Sequence, residues 1–174
     1  MELKAPKYEE VMKVRDWRND TMESLRTSFP LTERMQLDFF EDVVNNRDSC
    51  HRYYSLYHDN LFVGFGGLTN IQWENRCAEI SLIIDPLSRK KNYGSLAVSE
   101  LLKTAFNSLN LNMVFGEVYT CNKALDFWKK MASIWNCYTT TLYSRKFWDG
   151  KYYDSLYFSV DKRRYENQQN DFLQ

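Results

Sequence analysis

The sequence predicts a mixed α/β domain on a largely antiparallel central sheet, with one βα crossover set into it. Three observations carry this. The chain has 174 residues and no internal repeat, low-complexity run or Pro/Gly/Ser-rich linker, enough for one domain that buries roughly 70% of its unfolded surface. Three strand-like runs follow one another between residues 51 and 84, joined by short turns, which makes a meander. After Pro86 the pattern becomes helix, strand, helix, and the chain closes with two strand-like runs about Asp149-Gly150, a strong hairpin signal.

In order, Glu2 to Ala5 reads as a short strand stopped by Pro6. Lys7 to Arg18 reads as a helix with Val11, Val14 and Trp17 or Arg18 on one face. Asp20 to Pro30 has no clean period and reads as a loop or broken helix. Thr32 is placed to cap a second helix whose apolar stripe is Met35, Phe39 and Val43, flanked by Phe40 and Val44. His51 to Tyr57 and Leu61 to Ile71 are strands about a His58-Asp59-Asn60 turn. Gly64, Gly66 and Gly67 mark the second strand as bulged or closely approached by other backbone. Cys77 to Ile84 ends in Leu82-Ile83-Ile84, apolar on both faces as an interior strand requires. Then come a helix with Val98, Leu101, Leu102, Ala105, Phe106 and Leu109 at helical spacing, a strand from Asn112 to Thr120, and a helix from Asn122 to Met131. Strands from about Asn136 to Phe147 and Lys151 to Val160 form the C-terminal β-hairpin. The single domain spans 1–160, and 161–174 reads as a polar, frayed C-terminal tail.

Charge narrows the function. Lys and Arg number 23 and Asp and Glu 23, whereas a protein that wraps nucleic acid or lies on an anionic membrane needs a basic surplus. Neither partner is expected, and the balance also weighs against collecting a polycation such as a polyamine. The opening residues contain no apolar signal region, and no run approaches the ~18 apolar residues of a spanning helix. A cytoplasmic location is expected. Cys50, Cys77, Cys121 and Cys137 show no C-x-x-C pairing, and His51 and His58 are the only histidines. They read as reduced thiols, with no metal site.

The informative segment is Ala78-Glu79-Ile80-Ser81-Leu82-Ile83-Ile84-Asp85-Pro86, followed by Arg89 through Ser95. A buried strand feeding a basic loop that opens a helix aims free N–H groups and the positive end of the helix dipole at one point, a device for holding phosphate. Arg89, Lys90 and Lys91 add charge. The plain alternative is a solvated basic loop before an ordinary helix.

These residues and the order of elements resemble the GNAT family of acetyl-CoA-dependent N-acetyltransferases. Arg89-x-x-Asn92-x-Gly94 lies over the family's R/Q-x-x-G-x-G/A signature, with Asn92 in place of one glycine. Asn is the residue other than glycine that best tolerates a left-handed backbone. The resemblance spans roughly Leu3 to Val160 and includes Ala78-Glu79-Ile80 and Asn122 through Trp128. It implies a GNAT-like fold with acetyl-CoA as co-substrate and no metal. The pantetheine arm would pair with backbone of Leu82, Ile83 and Ile84 where two strands part. The pyrophosphate would sit on the amides of Lys90, Lys91, Asn92, Tyr93, Gly94 and Ser95, and Asn122 would contact the pantetheine. A backbone N–H near Leu82 would polarise the thioester carbonyl. Glu79 occupies the position of the carboxylate that removes the amine proton; its structural alternative is an ion pair with Arg76 or another cation. One departure stands out. Where many members place a tyrosine to protonate the leaving thiolate, this chain has Trp128, which is no acid at neutral pH. Tyr119, Cys121 and Tyr138 are the candidate substitutes. A thiol of pKa near 8.5 also leaves readily unaided.

Trp17-Arg18-Asn19, His51 to Tyr54 and Val63 to Thr69 are similar to segments of the branch that acetylates amino-sugar nucleotides. Trp17, Arg18, Asn19 and His51 are therefore the candidate acceptor-binding residues. The aromatic run from Trp135 to Phe158 either walls the acceptor site or packs the sheet. Amine basicity points the same way. A lysine-like amine of pKa near 10.4 carries a deprotonation handicap of ~4.6 kcal/mol at pH 7, and an α-amine near 8 only ~1.4 kcal/mol. A small-molecule amine acceptor is expected, an amino-sugar nucleotide first. The ribosomal-protein amino-terminal branch is the enzymatic alternative, and a non-catalytic CoA-binding or interaction module the alternative of another class. Homodimerisation is left open.

Overall fold

The computed structural model describes residues 1–172. Seven strands form one sheet: β1 (Glu2–Lys4), β2 (Arg52–His58), β3 (Leu61–Gln72), β4 (Cys77–Ile84), β5 (Met113–Tyr119), β6 (Tyr138–Trp148) and β7 (Lys151–Asp161). Their spatial order is β1-β2-β3-β4-β5-β7-β6. Every pairing is antiparallel except β4 with β5, so the mixed fold with a single crossover is as the sequence predicts. The crossover is α3 (Tyr93–Lys103), extended by a wider turn over Thr104–Ser108. The other helices are α1 (Tyr8–Asn19), α2 (Glu33–Phe39, widening over Phe40–Val44), α4 (Leu125–Ile134) and α5 (Lys162–Phe172).

The alternation of side chains along a strand sorts the core into two layers. On one face Leu68, Ile80 and Val114 pack with Val98, Leu101 and Phe106 of the crossover helix and with Met131 and Trp135. On the other, Phe65 and the partly buried Tyr53 and Ile83 meet Val11, Val14 and Trp17 of α1 and Phe39 and Phe40 of α2. Gly67 lets β2 approach β3 closely: a Cβ there would lie 2.2 Å from the Arg52 carbonyl oxygen. The β2–β3 turn runs left-handed through Asp59 and Asn60 (φ 50° and 62°), as a tight hairpin of this hand requires.

Two readings need correction. The polar tail is helical as far as Phe172, its last two residues lying outside the described ones: α5 is docked by Tyr165, which is buried and stacks on Trp135 with ring centroids 5.5 Å apart. In α2, Met35 is exposed and Gln36 is buried instead, its Nε2 donating to the Val11 carbonyl at 2.8 Å. The inner face of this short helix meets the backbone of α1, where an amide serves better than a thioether. Thr32 does cap the helix, its Oγ1 accepting from Met35 N at 3.2 Å.

α1 is fixed to the sheet by a buried carboxylate. Glu10 accepts from Ser55 Oγ at 2.6 Å, from the Tyr57 hydroxyl and from the Lys7 amide at 3.0 Å. Burial pushes its pKa up, but the hydrogen bonds from Ser55, Tyr57 and Lys7 outweigh it and hold the carboxyl below its ordinary value. The same contact pushes the Tyr57 phenol up to about 12. A depressed carboxyl pKa stabilises the fold above the unfolded value near 4.3 and ceases to do so as pH falls through the folded value. Glu10→Gln is expected to cost about 1.5–3 kcal/mol at pH 7 and to flatten the loss of stability between pH 5 and pH 3. Denaturant titrations of both proteins across that range check this.

Candidate active site

β4 and β5 pair for only three residues: Cys77 with Met113, Ala78 with Val114 and Glu79 with Phe115. Beyond that point the two strands part. β4 stays paired to β3 as far as Ile84, so every other N–H and C=O of Ser81–Ile84 faces the opening without a strand opposite. This is the exposed backbone expected of Leu82, Ile83 and Ile84.

The loop after β4 delivers α3 to the same opening. Asp85 caps a short turn at Pro86–Ser88 through Leu87 N at 3.0 Å. Lys90 and Asn92 are both left-handed (φ 62° and 64°), so Asn92 takes the conformation that a glycine would take. Asn92 is also the N-cap of α3, and its side chain caps nothing. The first-turn amides of Tyr93, Gly94 and Ser95 therefore project outward, with the helix dipole behind them. Gly94 is tightly packed, since a Cβ there would lie 3.0 Å from the Phe127 ring, which would have to shift to admit it. Lys90, Lys91 and Asn92 are exposed, and Arg89 folds back to donate from Nε to the Ile84 carbonyl at 3.3 Å. Alternating left-handed residues, uncapped amides and basic side chains suit a pyrophosphate.

On the α1/α2 face of the opening lies a charged cluster. Glu79 is gripped by Arg26, Nη1 to Oε2 at 3.0 Å and Nη2 to Oε1 at 2.5 Å, and Asn70 Nδ2 donates to Oε2 at 3.0 Å. The partner is thus Arg26, whereas Arg76 turns away to Asn110. Arg26 Nη2 also lies 3.8 Å from Glu117 Oε2 across the parted strands. Glu117 accepts from Arg145 Nε at 3.0 Å and Ser155 Oγ at 2.7 Å. Burial raises its pKa, but Arg145 and Ser155 prevail and hold it below the ordinary carboxylate range.

The remaining candidates fall in different places. Trp17 is buried and stacks on Phe62. Asn19 is spent on Leu31, donating to its carbonyl at 3.0 Å and accepting from its amide at 2.7 Å. His51 Nδ1 accepts from the Asn70 amide at 3.2 Å, and burial with nearby Arg52 lowers its pKa. Arg18 is partly buried, and its guanidinium has no hydrogen bond or carboxylate partner among the described residues. Burial lowers its pKa, opposed only by Tyr53. Burial pushes the Tyr53 phenol up, and Arg18, Glu79 and Arg26 each act on it electrostatically. Asn122 Oδ1 accepts from Ala124 N at 2.7 Å and starts α4.

Trp128 is stacked on Phe158 in the core. Of the substitutes, Tyr119 stands at the end of β5 in the opening, and burial raises its pKa first, then Glu117. The Cys121 thiol donates to the Glu23 carbonyl at 3.3 Å. Tyr138 is away on the edge strand β6 under Arg164. The aromatic run divides: Trp135 and Phe158 pack the core, while Tyr143, Phe147 and Tyr152 are exposed.

Residues 11–132 match the family model described as Acetyltransferase (GNAT) family. The chain belongs to the GNAT acetyltransferase family. It is an acetyl-CoA-dependent N-acetyltransferase. No curated protein matches the chain significantly by sequence. Solved structures do match its fold. The spermidine N-acetyltransferase of Vibrio cholerae in complex with CoA and spermine is similar at TM-score 0.82 and 19% identity, over 95% of this chain and 98% of that one. Its E33Q and E41Q mutant forms match at 0.81 and 18%, over 97% of each chain. A dodecameric form in an intermediate state matches at 0.77 and 19%, over 96% of each. Among the described residues no helix is long and apolar enough to cross a membrane.

Sequence reasoning missed Arg26, Glu117 and Arg145. Arg26 lies in the stretch without a period. Glu117 had a usable signal, a lone carboxylate inside the apolar run Met113-Val114-Phe115-Gly116-Glu117-Val118-Tyr119.

Proposed function

We propose that this enzyme acetylates the primary amine of a small molecule that also carries an anionic group, an amino-sugar nucleotide foremost. The observation that carries this reading is Arg18. A partly buried guanidinium without an anionic partner is costly, and an acceptor's phosphate or carboxylate would supply that partner beside Tyr53. The two site carboxylates, by contrast, each have an arginine partner, Arg26 and Arg145, so the site carries no surplus negative charge to draw in a polycation.

In this reading the amides of Lys90 through Ser95 hold the pyrophosphate, and the open backbone of Leu82–Ile84 with Asn122 holds the pantetheine. Acetyl-CoA supplies an activated acyl group. A backbone N–H near Leu82 stabilises the oxyanion, and Glu79 accepts the amine's proton, directly or through water. The amine nitrogen bonds to the carbonyl carbon, the C–S bond breaks, and the CoA thiolate departs and is protonated by solvent.

A second reading has two supports: the Vibrio cholerae neighbours are named as spermidine N-acetyltransferases, and Glu79 and Glu117 form a carboxylate pair that a diamine or polyamine would fit. A protein amino terminus is a third acceptor. Self-assembly, as in the dodecameric neighbour, is compatible with each. Thiol release from acetyl-CoA in the presence of an amino-sugar nucleotide, spermidine or a short peptide separates them. The nucleotide is expected to react best, and Arg18→Ala to raise its KM about tenfold, well above the rise for glucosamine, which lacks the anion. Spermidine as the best acceptor, or an equal effect of Arg18→Ala on every amine, would overturn the reading.

A further inference from the structure

We propose that the Arg26 guanidinium occupies the seat of the acceptor's ammonium group, so that Glu79 and Glu117 form a built-in cation site that the substrate enters by displacing this side chain. The inference rests on the acetyltransferase reading above and adds the immediate partner of the incoming amine.

The asymmetry of the cluster is the argument. The carboxylates are the fixed, buried members: Glu79 retains 12% and Glu117 8% of its side-chain exposure, each on a sheet strand. The cation that joins them is 58% exposed and reaches in from the connection between α1 and α2. Buried anions require a positive partner, whereas an exposed arginine can return to water at small cost. Of the three groups, only the guanidinium can leave cheaply. It also stands at the point where β4 and β5 separate, beside the backbone that faces the co-substrate opening.

The surrounding backbone is pinned, so the exchange is a side-chain movement. Lys146, buried on β6, donates from Nζ to the Leu25 carbonyl at 2.5 Å and to Ser28 Oγ at 3.0 Å, on either side of Arg26. The Cys121 thiol and Lys123 hold Glu23 from below, Lys123 Nζ lying 3.4 Å from Glu23 Oε1. An alkylammonium that replaces Arg26 meets the carboxylate proposed to take its proton, with Glu117 as a second anion close by. The same seat keeps Glu79 neutralised when no acceptor is bound.

The test needs no acetyl-CoA. Propylammonium binding is measured by calorimetry and by thermal unfolding on the wild type, on Arg26→Ala and on Arg26→Lys. With the seat empty, Arg26→Ala is expected to bind the probe about tenfold more tightly than the wild type and to be restored in stability by it, and Glu117→Gln in the Arg26→Ala background to abolish this. Arg26→Lys, which keeps the charge and the fold, is expected to fall between them. Equal binding to the wild type and both variants, or none to any, would overturn the proposal even if acetyl transfer is found. Tight binding to Arg26→Ala without acetyl transfer to any amine would uphold the seat and refute the acceptor reading instead.

Discussion

Glu79→Gln is expected to lower kcat/KM for the acceptor amine by about 10²–10⁴-fold while acetyl-CoA still binds. The amide cannot take a proton, and the substituted side chain lies on the α1/α2 face of the sheet, opposite the α3 layer. Stability separates this role from a merely structural one. Removing the carboxylate leaves a 58% exposed arginine with Glu117 still 3.8 Å away, whereas removing the arginine leaves a carboxylate of 12% exposure with no cation and only the Asn70 amide to satisfy it. Arg26→Ala is therefore the more destabilising change, by about 1–3 kcal/mol, and Glu79→Gln the milder one. Denaturant unfolding beside steady-state thiol release reads both effects. A Glu79→Gln enzyme with wild-type turnover and reduced stability would make the residue a strut only.

The second large effect belongs to Asn92. Its φ of 64° costs an ordinary L-residue roughly 1–2 kcal/mol, and a β-branched one at least as much. Asn92→Val is expected to swing the Lys90–Asn92 segment out of its left-handed path and raise the Kd for acetyl-CoA about tenfold or more. Asn92→Gly, which restores the glycine of the family signature, is expected to match or improve on the native affinity. Titration of both variants with acetyl-CoA decides this, and equal affinities would mean that the loop's backbone does not hold the co-substrate.

The legible and illegible parts of this protein divide along physical lines. The Asp149-Gly150 hairpin, the meander and the crossover were readable because turn chemistry and apolar period are local. Asn92 was readable as a left-handed residue because few side chains tolerate that conformation. The segment from Asp20 to Pro30 was not, because it is held by long-range contacts that no local period records. Lys146 Nζ caps the Leu25 carbonyl from 121 residues away, and Asn19 clamps Leu31. Arg26 inherits its position from them, so its pairing with Glu79 lay beyond a local reading. α5 was hidden for another reason, since Tyr165, which docks it, stands between polar neighbours and sets up no apolar period.

Acetyl-CoA binding by the wild-type protein, read as thermal unfolding with and without the ligand, tests the whole arrangement most directly. At about 100 times its Kd the ligand is expected to add ~2.7 kcal/mol, a rise of several degrees at this chain length, diminished in Asn92→Val. No shift at millimolar acetyl-CoA would contradict the assignment of the β4–β5 opening and the α3 N-terminus as the co-substrate site.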